Sequence, residues 1–305
     1  MPAAIALVPC YLAYQYARAL AFSRGALLAA TLATAGTVVL IVGALAFDAL
    51  TGWPASAGRA LLIAAFGYGI SGALTTWILS AGLRLRWIHL RNYWPYAAIS
   101  RWSLLGIVCF ELMNRAPGFA VTGWLGAGAL GRMSTTQLPS RPPIIAVAGL
   151  LPAMRNRLAD LRSQHRWTEF TRLTMRAGLA AAAFNAAWAL PVGLAWPLLS
   201  RLAFNGRFAE DVGLGVLWTL SQAFGSVAAV VGTAFGVCGA FRRIGFADLA
   251  GAVATVIGLL VLLPSFGILG GIGATIAGQA CYLAVVAAQW RFLREGFMAL
   301  PSSRN

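Results

Sequence analysis

The segment ALLAATLATAGTVVLIVGALAF, residues 26–47, runs for 22 residues without a charged, amide or proline side chain. As a helix it would rise roughly 33 Å, about the thickness of a bilayer's hydrocarbon core, and it would close its backbone hydrogen bonds within itself. Comparable runs occupy residues 60–83, 177–200, 212–240, 249–263 and 268–290, and another, residues 2–17, opens the chain. Two less uniform spans, residues 97–124 and 125–154, carry embedded charge. The pattern predicts an all-α polytopic membrane bundle of about nine transmembrane helices. A transmembrane barrel would show segments of about 10 residues alternating polar and apolar, whereas these runs are apolar on every side.

Composition agrees: 60% of the 305 residues are hydrophobic and 10% are charged. All 23 basic residues are arginine and the net charge is +15. Counting loops after alternate helices, one side receives Arg18, Arg24, Arg84, Arg86, Arg91, Arg155, Arg157, Arg162, Arg166, Arg172, Arg176, Arg242, Arg243, Arg291, Arg294 and Arg304. The other side receives Arg59, Arg201 and Arg207. By the positive-inside rule the first group is cytoplasmic, which places the C-terminus in the cytoplasm and, with nine helices, the N-terminus outside. The charge is then explained by topology and by attraction to anionic lipid headgroups, without a nucleic-acid partner. A hydrophobic opening on the outer side lacks the charged n-region of a signal peptide and reads as a truncated start.

Little else suggests enzyme chemistry. Cys10, Cys109, Cys238 and Cys281 fall singly in apolar runs, as small hydrophobes do. His89 and His165 lie in arginine-rich loops with no ligand at metal spacing, and no P-loop, dinucleotide fingerprint or nucleophile motif is present. The expectation is a non-enzymatic protein without metal or cofactor.

Two linkers stand out. Residues 84–94 mix arginine with Trp87, Tyr93 and Trp94, the composition of a segment in the headgroup layer. Residues 155–176 repeat charges at helical spacing, Arg162 with Arg166 and Glu169 with Arg166 and Arg172, and read as solvated extensions of two membrane helices.

The embedded charges are the candidate site. Glu111 and Arg115 are four apart, so they share a helix face in the favourable order, and Pro117-Gly118 should disturb the helix beyond them. Arg132 and Arg141 belong to the next span, with Ser134, Thr135, Thr136 and Gln137 between them. Arg141 stands in Leu138-Pro139-Ser140-Arg141-Pro142-Pro143 with no acidic residue near it in sequence. A cation without a local counter-ion in a helix broken by proline points to an anionic substrate.

Four degenerate motifs follow in order. They are Trp124-Leu125-Gly126-Ala127-Gly128-Ala129-Leu130-Gly131; Leu150-Leu151-Pro152 before a basic loop; Phe204-Asn205-Gly206-Arg207-Phe208-Ala209-Glu210-Asp211; and the glycine-rich turn from Pro264 to Ala274. Their order and spacing resemble the Wzx-type polysaccharide flippases, members of the superfamily that also contains lipid II flippases and multidrug exporters. The family often has an aromatic residue where this chain has Arg132. What the resemblance implies is two six-helix lobes, of which this chain would hold the last three helices of the first (residues 1–83) and a complete second (97–295). An interfacial linker would cover 84–96 and a cytoplasmic tail 296–305.

The implied activity is alternating-access translocation of a lipid-linked oligosaccharide, a polyprenyl pyrophosphate sugar, across the bacterial inner membrane for exopolysaccharide or lipopolysaccharide assembly, alongside other assembly proteins. Arg141, Arg115 and Arg132 would bind the pyrophosphate. Glu111, taken as the one acidic residue at membrane depth, would couple an ion gradient. A multidrug exporter of the same superfamily should favour acidic and aromatic cavity residues. A membrane glycosyltransferase or polymer ligase should carry a catalytic acid or histidine in a sizeable external loop.

The arginine asymmetry generates a direct test. Single cysteines placed in residues 84–94, 155–176 and 242–243 of an otherwise cysteine-free chain should resist a membrane-impermeant maleimide in intact cells and react after permeabilisation. Labelling of 155–176 from outside would invert the topology.

Overall fold

A computed structural model describes residues 2–51, 56–79 and 94–298. Among them the chain is helical throughout. The helices are α1 (Pro2–Ser23), α2 (Leu27–Leu50), α3 (Ala57–Leu79), α4 (Trp94–Leu125), α5 (Ala127–Gln137), α6 (Arg141–Ser163), α7 (Trp167–Phe204), α8 (Val212–Val237), α9 (Phe241–Phe266) and α10 (Ile268–Met298). A 3-10 turn, Leu138–Ser140, joins α5 to α6 without a break. Counted as one rod, α5–α6 brings the described helices to nine.

Seven of them are long and apolar enough to cross a membrane, so the chain is a multi-pass membrane protein. The two that fall short are α1 and the rod. Tyr11, Tyr14, Gln15, Tyr16 and Arg18 make the second half of α1 polar, and the rod carries Arg132, Arg141 and the run from Ser134 to Gln137. At 38 residues, α7 is about 57 Å long, well beyond the roughly 30 Å hydrocarbon core. Its N-terminal turns, with Arg172 and Arg176, therefore project past the apolar layer.

The chain forms two compact units, residues 1–90 and 91–305. In the first, α1 and α3 lie close because Gly72 faces the backbone of Tyr14, with 2.8 Å between an added Cβ and the Tyr14 amide nitrogen. Tyr68 fills the same seam, its ring 5.2 Å from those of both Tyr11 and Tyr14, and the Tyr14 hydroxyl donates to Thr34 Oγ1 of α2 at 3.1 Å. Arg59 and Asp48 pair at 3.3 Å. Much of α2 is uncovered, with Leu28, Val39 and Phe47 exposed, as suits a lipid-facing helix.

The second unit holds six rods in antiparallel succession. One end is formed by the turns at Gly126, Asn205–Asp211 and Gly267, and the other by the turns at 164–166 and 238–240. Gly126 has φ +87° and Gly267 has φ +56°, backbone conformations that glycine adopts without strain, and the side chain of Leu125 lies beside Gly267. Within α7, α8, α9 and the rod, arginines collect at the 164–166 end: Arg155, Arg157, Arg162, Arg166, Arg172, Arg242 and Arg243. Arg132, Arg201 and Arg207 lie toward the other. Arg243 and Arg291 lie over the Phe292 ring, at 5.2 and 4.7 Å, and Arg162 donates to the Val237 carbonyl. These contacts hold the cations where a headgroup layer would meet them. A turn at Gln164–Arg166, with His165 at φ +56°, divides residues 155–176 between the end of α6 and the start of α7. Glu169 pairs with Arg166 at 2.6 Å. Of the expected 84–96 linker, residues up to 93 lie outside those described, as does the tail beyond Met298.

Two apolar clusters fill the ends of this unit. Leu158, Leu161, Phe170, Phe235, Val286 and Phe297 pack at the arginine-rich end, and Val121, Met133, Leu214, Trp218, Leu263 and Ile272 at the other. Between them α9 and α10 meet through small residues. An added Cβ on Gly258 would lie 3.0 Å from Ala274 Cα, and one on Gly278 would overlap Thr255 Oγ1 and lie 2.8 Å from the Gly251 carbonyl oxygen. Gly278→Ala should therefore cost about 1–3 kcal/mol through forced separation of the two helices. Gly128→Ala, with open space around it, should be neutral or stabilising by up to ~1 kcal/mol. Thermal unfolding in detergent compares them, and equal melting temperatures would refute the close contact.

Candidate functional site

The rod is continuous through its prolines, contrary to the sequence expectation of a broken helix, and the reason is local. Pro139, Pro142 and Pro143 have no N–H, so the carbonyls of Thr135, Leu138 and Pro139 lose their ordinary i+4 donors. Each finds another. Leu138 N–H donates to the Thr135 carbonyl, Arg141 N–H to that of Leu138, and the Trp188 indole of α7 to that of Pro139 at 2.8 Å. Ser140 Oγ donates to the Gln137 carbonyl at 2.7 Å. The outcome is one turn of 3-10 helix braced from α7. Likewise α4 runs unbroken through Pro117 to Leu125, although Pro117-Gly118 predicted a disturbance there.

Arg141 begins α6 and is exposed on the second unit. Ser140, Pro143, Val147, Leu158 and Leu161 form the buried face of the rod, and Arg141 lies off it. Among the described residues it has no ion pair and no side-chain hydrogen bond.

Arg132 is differently placed. Its Nε lies 2.7 Å from both carboxylate oxygens of Asp211, and a second guanidinium nitrogen also pairs with Asp211 Oδ1. Asp211 is 3% exposed. It stands at the N-cap of α8, yet its carboxylate does not cap the helix; the fork of Arg132 takes it instead. The loop that delivers Asp211 is itself fixed. Asn205, Gly206 and Phe208 have positive φ, and the buried Trp196 donates from its indole to the Phe208 carbonyl at 3.0 Å. The Trp196 ring fits because Gly215 has no side chain, since an added Cβ there would be 2.9 Å from it.

Arg115 and Glu111 meet on α4, Nε to Oε2 at 2.6 Å, both substantially exposed. No contact joins the three arginines. Nine residues separate Arg132 from Arg141, about 14 Å of rise and roughly half a turn of rotation, so the two do not form one clamp. Of the three, Arg141 is the one without an ion pair among the described residues.

One residue escaped the sequence reading. Asp248, seven residues into α9, is 5% exposed and packed against α4, whereas the sequence offers Glu111 as the acidic residue at membrane depth. Hydropathy divides the apolar run at residue 249, so in sequence Asp248 reads as lying outside it. Asn185 was also passed over: it is fully buried and donates to Ser226 Oγ of α8 at 2.9 Å.

No protein-family model matches the chain, and no curated protein or solved structure shows detectable similarity to it.

The Arg132–Asp211 contact ties the rod to the start of α8. A double-mutant cycle with Arg132→Gln and Asp211→Asn should return about 1–3 kcal/mol of coupling. The Asp211→Asn variant alone should lower the melting temperature while Arg141→Gln leaves it unchanged. Zero coupling would show that the pair contributes nothing to stability.

Proposed function

We propose that the chain is a membrane transporter that translocates a lipid-linked oligosaccharide across the bacterial inner membrane, with Arg141 holding the pyrophosphate of the carrier. The observation that carries this reading is the placement of Arg141: a cation about 21 Å from the start of the rod, exposed on its unit, with no counter-ion among the described residues. A guanidinium facing hydrocarbon at that depth costs at least about 2.5–3.5 kcal/mol. Its exposed face is therefore suited to a water-filled cleft, and an anion entering that cleft recovers the cost. Pyrophosphate suits the planar fork of arginine, which can donate two parallel hydrogen bonds. The Trp188 brace holds the backbone from which Arg141 projects, so the charge is presented from a rigid element.

Arg132 is mostly engaged with Asp211 and serves first to position the rod. Arg115, held by Glu111, is a second cation on the exposed surface of α4. The collection of arginines at one end of the second unit supports a cytoplasmic assignment for that end and for the C-terminus, where anionic lipids would meet them. Substrate would load from that side and leave on the other, as the lobes of an alternating-access carrier expose one face at a time.

The test uses lipid vesicles containing the full chain and a short fluorescent oligosaccharide on polyprenyl pyrophosphate, with translocation read by a quencher that cannot cross. Wild type should move the lipid between leaflets. Arg141→Ala should lose about 1.5–3 kcal/mol of substrate binding, ten- to a hundredfold in affinity, at unchanged insertion. Arg141→Lys should also be impaired because it keeps the charge and loses the fork. Equal translocation by wild type and Arg141→Ala would remove this residue from the mechanism, and no translocation by any form would end the flippase reading.

A further inference from the structure

Asp248 lies about 10 Å inside α9 from its arginine-rich end, in the seam where α9 crosses α4. The crossing is built for a carboxyl group at that point. Opposite it is Gly106 of α4, where an added Cβ would be 2.7 Å from Asp248 Oδ2. One turn earlier, Gly245 lets α9 approach the Trp102 carbonyl, 3.1 Å from an added Cβ. One turn later in α4, the buried Cys109 continues the wall. Gly106 leaves the carboxyl group without an opposing side chain at this point of the seam, between the Trp102–Phe246 ring contact at 5.3 Å on one side and Met113 against Gly251 on the other.

What surrounds Asp248 is neutral. The titratable groups facing it are Cys109 of α4 and Tyr282 of α10, a thiol and a phenol. Helix α8 contributes no titratable residue. The nearest cations in sequence are engaged elsewhere: Arg242 lies over Trp102 at 5.5 Å and over Phe246 at 5.6 Å, Arg101 over Trp102 at 5.8 Å, and Arg243 over Phe292. Among the described residues Asp248 has no ion pair and receives no hydrogen bond. An uncompensated carboxylate in such a place costs several kcal/mol, whereas a carboxylic acid carries no charge to desolvate. Glu111, two residues beyond Cys109 and so on the opposite side of the same helix, does not share this environment, since it is exposed and paired with Arg115.

We propose that Asp248 is a reversible proton-binding site within the membrane, holding a proton while α4 lies against α9 and passing it to water when the seam opens. The ligand is the proton itself. The site stands on the packing of α4, α9 and α10, and it rests on the transport reading only for the use to which the proton is put. In that use it would take the coupling role that the sequence assigned to Glu111.

Infrared spectra of the full chain in lipid vesicles at neutral pH should show the C=O stretch of a buried protonated carboxyl, lost in Asp248→Asn and kept in Glu111→Gln. Asparagine preserves size and neutrality, so the variant should fold as wild type does, and Asp248→Glu provides a second check by shifting the band without abolishing it. Dicyclohexylcarbodiimide, an apolar reagent that adds to protonated carboxyls, should leave an acylurea on the Asp248 peptide. Its yield should fall tenfold or more as the vesicles are made alkaline. A wild-type spectrum without the band, or a band that persists in Asp248→Asn, would overturn the proposal. Vesicles that show the band yet move no lipid would support the proton site and refute the transport reading, so the two can fail separately.

Discussion

Inside a bilayer each backbone N–H and C=O must find its partner within the protein, and the organisation of the second unit follows from that requirement. The rod shows it most clearly. Three prolines within five residues remove three backbone donors, and in water the exposed carbonyls would simply be hydrated. Here they are met by a tightened 3-10 register and an indole from the neighbouring helix, while a serine hydroxyl takes the Gln137 carbonyl that the tightened register leaves. Trp188 thus does more than fill space: it joins α7 to the rod at the level of Arg141. A proline cluster that would end a helix in a soluble protein becomes a place where two helices are fastened together.

Helix association obeys a related constraint. Lipid tails are as apolar as leucine, so burying leucine against leucine gives little net drive, and close packing must supply it. The tightest contacts accordingly run through Gly251, Gly258, Gly270 and Gly278 between α9 and α10, and through Gly106 and Gly245 between α4 and α9. The two sets differ in what they face. Along α9 and α10, Gly258, Gly270 and Gly278 meet backbone and small side chains, which favours a fixed contact. Across α4 and α9, Gly245 meets the Trp102 carbonyl and Gly106 alone faces a carboxyl group, that of Asp248.

The helical class and the membrane location were legible in the sequence because they depend on the length and apolarity of single segments, such as residues 26–47. The Glu111–Arg115 contact was legible too, since four residues along a helix fix a face without any knowledge of neighbours. Contacts between helices were not. Asp211 is 79 residues from Arg132, and nothing in either segment marks the other. Asp248 was missed because hydropathy divides the chain at charges, so a charge inside a helix looks like the end of one. Arg132 and Arg141 belong to one span in sequence, with Arg141 the stronger candidate, and the structure shows how they differ: one is bound to a buried carboxylate and the other is without a counter-ion among the described residues. The resemblance to the flippases rests on four short motifs; the fold places the three that contain glycine at the turns of one end of the second unit and Leu150-Leu151-Pro152 within α6. Turn glycines answer to backbone geometry as much as to ancestry.

The charges embedded in the second unit therefore fall into three kinds. Arg132 and Asp211 compensate each other and hold elements in place. Asp248 has no cation beside it among the described residues, and a proton, the smallest ligand available, would neutralise it. Arg141 cannot use that route, because a guanidinium does not give up its proton under conditions a cell provides. An arginine at membrane depth must be met by water or by an anion, and the anion is the better partner wherever water is scarce. In the proposed scheme that asymmetry separates the two residues: the carboxyl is to respond to pH, and the guanidinium to a ligand that brings its own negative charge.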